Sequence, residues 1–138
     1  MDNNSVFIEK LRSSGLRPTK QRLEICKLLF DRKKTFHFTI SDLSKILKKE
    51  TDEKISLATI YNTVHSFKKK GYLKEISLNS EKSYFDTNTS NHHHFIDEST
   101  NEIVDLNVDD VSDIKIKKNL LGKKVKSIEV LVKLEKSN

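Results

Sequence analysis

The run SLATIYNTVHSFKKKG, Ser56 to Gly71, decides how this chain folds. Ser56 is a helix N-cap, since its hydroxyl can accept a backbone N–H from the first turn, and Gly71 is a helix stop that enters a left-handed conformation without a Cβ clash. Between them Leu57, Ile60, Val64 and Phe67 recur at helical spacing and should bury, while Ala58, Tyr61, Asn62, His65 and Lys69 line the opposite side. One face builds a core; the other can read DNA. Beyond Gly71 the runs YLKEI (72–76) and KSYFD (82–86), separated by the polar tract SLNSE, predict a β-hairpin.

Towards the N-terminus the same logic places three earlier helices. Thr39 followed by Asp42 is a capping box ahead of a helix striped with Ile40, Leu43 and Leu47. Thr19 caps another, with Leu23, Cys26 and Phe30 on one face, and Val6 to Ser14 forms a first helix that stops at Gly15. Three helices, a capped fourth and a hairpin are the order of a winged helix-turn-helix. Cys26 reads as a small buried hydrophobe.

Downstream, Thr87 to Asn91 is TNTSN, wholly polar turn chemistry and a natural hinge. A second unit follows with the runs HHHFI and EIVDL, a helix predicted over Val108, Val111 and Ile114, and an alternating strand in which Ile128, Val130, Val132 and Leu134 share a face. The expected organisation is α+β: an N-terminal winged helix-turn-helix DNA-binding domain over 1–86, a hinge over 87–91 and a small α/β dimerisation and sensing domain over 92–138. A core that small supplies only about 3–5 kcal/mol, so the second unit should need a partner chain or a metal.

Bulk properties agree. Of 138 residues, 26 are Lys or Arg and 20 Asp or Glu, and residues 1–86 hold 18 basic against 11 acidic, net +7, so the basic excess lies entirely in the first part. That is the electrostatic footprint of a nucleic-acid binder. No apolar run is long enough to span a membrane and the start lacks signal-peptide character, so a cytoplasmic location without membrane partners is expected. A single cysteine excludes an internal disulfide and any CxxC zinc site. A metal must therefore be held by His and carboxylates. No nucleophile, HExxH motif or Gly-rich phosphate loop accompanies them, which argues against an enzyme.

The segments LRPTKQRLEI, SLATIYNTV, KSYFD and the histidine cluster before a strand resemble the ferric uptake regulator (Fur) superfamily in order and spacing. SGLRPTKQR, LLF, YFDTNTSNHHHF and IEVLVKLEK resemble most its iron response regulator (Irr) branch. The resemblance implies a homodimeric repressor of iron and haem homeostasis that binds double-stranded promoter DNA. By position it implies a divalent metal site (Fe²⁺, Mn²⁺ or Zn²⁺) at the joint of the domains, formed by His37 in the loop before the third helix, Asp86, His92, His94 and Asp105. DNA contacts would come from Ser56, Thr59, Tyr61 and Asn62 on the recognition helix, with Arg17 and Lys20 flanking the second helix.

The Irr likeness further implies haem sensing by His92, His93 and His94, with a haem-delivering protein among the partners. In an extended strand His92 and His94 face one way and His93 the other, leaving His93 available as an axial haem ligand. The chain also departs from the family: there are no cysteines for a structural four-cysteine zinc site, Ile128 stands where relatives carry a further ligand, and His93 replaces the acidic member of HxDH. The alternatives are a metal-dependent Fur-type repressor without haem sensing, or a haem or metal carrier.

Overall fold

Three capped helices and the strands between and after them carry the first unit in the computed structural model of the chain, which describes residues 3–78 and 82–138. The chain divides into two compact units, one running to Thr89 and one from Ser90. In the first, α1 (Asn3–Ser13), α2 (Lys20–Phe30), α3 (Ile40–Glu50) and α4 (Leu57–Lys70) are joined by β1 (His37–Phe38), β2 (Lys74–Ser77) and β3 (Ser83–Asp86). The three strands form one sheet in the order β1-β3-β2, both pairs antiparallel. The tip of the predicted hairpin, residues 79–81, lies outside the described residues.

The caps form as their chemistry dictates. Thr19 Oγ1 accepts the Arg22 N–H at 3.2 Å, and Ser56 Oγ accepts the Thr59 N–H at 3.1 Å. Thr39 and Asp42 exchange both bonds of a capping box, at 3.0 and 3.1 Å. α4 ends at Gly71, whose φ of 94° suits a residue without a Cβ. The core gathers Phe7 and Leu11 of α1, Ile25, Cys26 and Leu29 of α2, Leu43 and Leu47 of α3, and Ile60, Val64 and Phe67 of α4 over Phe38 and Phe85 of the sheet.

One position on α4 departs from the expected pattern. Leu57 is 60% exposed, because nothing packs on the first turn, where Ser56 and Ala58 are exposed as well. Thr63 takes the place on the buried face, with its hydroxyl donating to the Thr59 carbonyl at 2.7 Å, so no polar group is stranded in the core.

The second unit is a three-stranded sheet of β4 (His93–Asp97), β5 (Glu102–Leu106) and β6 (Leu131–Leu134), in the order β5-β4-β6, with β4 antiparallel to β5 and parallel to β6. The helix expected over Val108, Val111 and Ile114 is a single 3-10 turn, Val108–Asp110, and 111–130 holds no regular helix or strand. The composition explains this: β-branched residues interleaved with Asp and Ser are poor helix formers, and the Asn107 N–H is tied to Asp110 Oδ2 at 3.2 Å in a tight local turn. The strand expected from Ile128 onward starts only at Leu131, where residue-for-residue pairing with β4 begins. Among the described residues no helix is long and apolar enough to cross a membrane.

Candidate metal and DNA-binding sites

In the first unit a two-residue strand does what sequence periodicity cannot reveal. The Phe36 N–H donates to Thr87 Oγ1 at 2.9 Å and the Thr87 N–H returns to the Phe36 carbonyl at 3.1 Å. This clamp sets His37 directly opposite Asp86 across β1 and β3, so His37 sits in a strand and not in the loop expected for it. Its Nε2 lies 3.1 Å from Asp86 Oδ2. Asp86 is fully buried, and its other oxygen accepts the Asn88 N–H at 2.8 Å. A carboxylate removed from water is costly unless it is paired and hydrogen-bonded, and both of its oxygens are so engaged.

The second unit carries a matching arrangement. His92 Nδ1–H donates to the Ser90 carbonyl at 2.7 Å, which leaves the ring's lone pair on Nε2, and that nitrogen stands 3.2 Å from Asp105 Oδ1. His94 Nε2 is 3.5 Å from the same oxygen, because the β4–β5 ladder sets His94 opposite Asp105. The two rings are 4.3 Å apart, and His92 and His94 are both buried. A lone-pair nitrogen held 3.2 Å from a carboxylate oxygen is repulsive unless a proton or a metal cation lies between them. A backbone carbonyl fixing the remote imidazole nitrogen is the outer-shell arrangement of metal-ligating histidines. Ser90 had no signal in the sequence, because its main-chain oxygen does this work.

His93 has a different set of neighbours from His92 and His94. It is buried and lines a small cavity of about 260 Å³ with Val108, Val111, Ile114, Val125 and Ile128. The Val130 N–H donates to its Nδ1 at 3.0 Å, which places the ring proton on Nε2. In that tautomer Nε2 has no lone pair for haem iron, and reversing it would set two N–H groups against each other. An axial role for His93 would require this hydrogen bond to give way.

The sequence-expected DNA contacts all lie in the first unit. Arg17, Lys20, Ser56, Tyr61 and Asn62 are exposed and Thr59 is half-buried. The Ser56 hydroxyl is occupied with the cap and with Thr59 Oγ1 at 3.0 Å, which limits it as a DNA contact. Cys26 is buried and its thiol is pushed up to about 12 by that burial, against the lowering influence of Lys10. It therefore stays a neutral thiol at ordinary pH.

Residues 13–134 match the Ferric uptake regulator family. The peroxide-responsive repressor PerR of Staphylococcus aureus (strain Mu50 / ATCC 700699) is 36% identical over 108 residues, spanning 78% of this chain and 71% of that protein. Among solved structures, the ferric uptake regulator from Pseudomonas aeruginosa with manganese shares the fold at a TM-score of 0.69 and 20% identity, covering 96% of this chain and 99% of that one. The Campylobacter jejuni peroxide stress regulator does so at 0.61 and 23% identity, covering 100% and 98%. These relatives carry the family and do not single out the iron response regulator branch. The capped helices, the winged sheet and the match over 13–134 place the chain in the ferric uptake regulator family, whose members are metal-responsive transcription regulators and not enzymes.

Proposed function

We propose that this chain is a homodimeric repressor in the cytoplasm that binds double-stranded promoter DNA through its first unit when a divalent metal is bound. His37 and Asp86 supply one part of the metal site, and His92, His94 and Asp105 the other. One observation carries this reading: each unit independently turns an imidazole Nε2 onto a carboxylate oxygen, at 3.1 Å in the first and 3.2 Å in the second. Nitrogen and carboxylate donors without thiolates suit borderline divalent ions such as Fe²⁺, Mn²⁺ or Zn²⁺. A bound ion would supply positive charge to the imidazole and carboxylate donors that hold it, so metal supply would affect how those donors are ordered.

DNA recognition falls to α4. Tyr61 and Asn62 stand on its exposed side, where Asn can pair with adenine and Tyr or the exposed Leu57 can meet a thymine methyl. Arg17 and Lys20 add phosphate contacts. The second unit is the dimerisation element in this reading: Ile114, Ile116, Leu120, Leu121 and Val125 are exposed on a segment without regular structure, and a partner copy covers such side chains.

The test starts from metal-free protein, with binding to a promoter-derived duplex followed by anisotropy on separate addition of Mn²⁺, Fe²⁺, Zn²⁺ and haem. At least one divalent ion should raise affinity by about 5- to 150-fold, the usual range of coupling between two sites. Asp105→Asn should remove the response. An affinity indifferent to every divalent ion overturns the metal-responsive reading, and a response to haem alone replaces it with the haem-sensing one that the Irr likeness implies.

A further inference from the structure

Tyr61 is a large aromatic side chain left 52% exposed on the front of a helix, and such a side chain is ordinarily free to sample rotamers. Here it is covered from behind. The His65 imidazole lies 4.1 Å from the Tyr61 ring at a 38° tilt, one helical turn further on, the direction in which i and i+4 side chains meet. His65 is itself half-buried and wedged edge-on against Phe85 of β3, with centroids 5.8 Å apart at 78°. Phe85 in turn is 2% exposed and stacks at 5.7 Å on Phe38 of β1. A continuous aromatic support therefore runs from the core of the winged sheet through His65 to the exposed tyrosine.

We propose that His65 is a positioning residue for DNA recognition: it touches no base itself and holds the Tyr61 ring at one angle on the face of α4. The inference rests on the assignment of α4 to DNA. A residue on the outer face of α4 that faced solvent or touched the DNA backbone would need no ring held between Tyr61 and Phe85. Tyr61 and Phe85 flank the imidazole, and it shares the lining of a cleft beside α4 with Ile40 of α3 and Glu75 of β2. Pre-ordering an aromatic contact removes part of the entropy cost of binding, and an aromatic pair of this kind changes affinity by about two- to tenfold.

The experiment uses the full-length Mn²⁺-loaded protein and a duplex enriched from a random library by the wild type. Affinities are measured for wild type, His65→Leu, His65→Phe, Tyr61→Ala, and Tyr61→Ala combined with each His65 substitution, with thermal melts of all. His65→Leu should weaken binding about two- to tenfold, His65→Phe should keep it within about twofold of wild type, and His65→Leu should cost nothing further once Tyr61 is replaced by alanine. Equal losses in the two backgrounds, or no rescue by Phe, overturn the positioning role in favour of a direct contact or a purely structural one. If the wild type enriches no duplex, the DNA reading itself fails and this inference goes with it. Should His65→Leu lower the melting temperature, affinities are read well below the melt of every variant, where a loss that persists in the Tyr61→Ala background still overturns the positioning role.

Discussion

The two units solve the same problem with different means. In the first, four helices close over a sheet, and every described hydrophobic side chain in the core except Ile96 belongs to it. In the second, three histidines are buried where a core would have aliphatic side chains, while Leu120, Leu121 and Val125 stand in solvent. The first unit holds itself together through apolar burial. The second is built around polar donors suited to a cation, and around apolar residues that need covering. If the second unit binds a cation as proposed, its stability would depend on that ion more than the first unit's does.

The comparison breaks first in the core. Phe67 is fully buried and meets Phe30 edge-on at 5.3 Å, so Phe67→Ala should cost about 3–5 kcal/mol of the first unit's stability in urea unfolding. A loss under about 1 kcal/mol would show that the unit does not depend on that cluster. Next in size is the ion. Amide exchange in β4 and β5 should slow with saturating Mn²⁺ or Zn²⁺ by an amount equivalent to about 2.7 kcal/mol at a hundred times the dissociation constant, while the α2 and α4 amides scarcely change. Uniform protection across both units would erase the contrast, and His94→Ala should abolish the β4 effect. The smallest effect is at the helix start: Ser56→Ala removes the Thr59 cap and should cost about 1 kcal/mol. A loss well above that figure would mean Ser56 does more than cap.

Much of the first unit was legible because its signals are local. Thr19, Thr39, Ser56 and Gly71 act within one turn of their own position, and amphipathic spacing needs no knowledge of the partner surface. Leu57 misled because spacing reports which side a residue faces and not whether anything is packed there. The second unit was read less well for a related reason. Val108, Val111 and Ile114 have helical spacing, but propensity and a local Asn107–Asp110 turn outweigh it where no packed surface rewards a helix.

The residue types of the metal set, the polar tract after Asp86, the lack of thiolate ligands and the basic first half belong to the sequence alone, because composition and covalent order do not depend on folding. The partnership of His37 with Asp86, separated by 49 residues, belongs to the tertiary structure. A strand of two residues has no periodicity to read, and only the Phe36–Thr87 clamp brings the pair into register. The tertiary structure also separated the histidines. Alternation alone could put His93 on the far side from His92 and His94, but which ring nitrogens keep a lone pair is set by Val130 and Ser90, through backbone groups whose positions no side-chain pattern encodes.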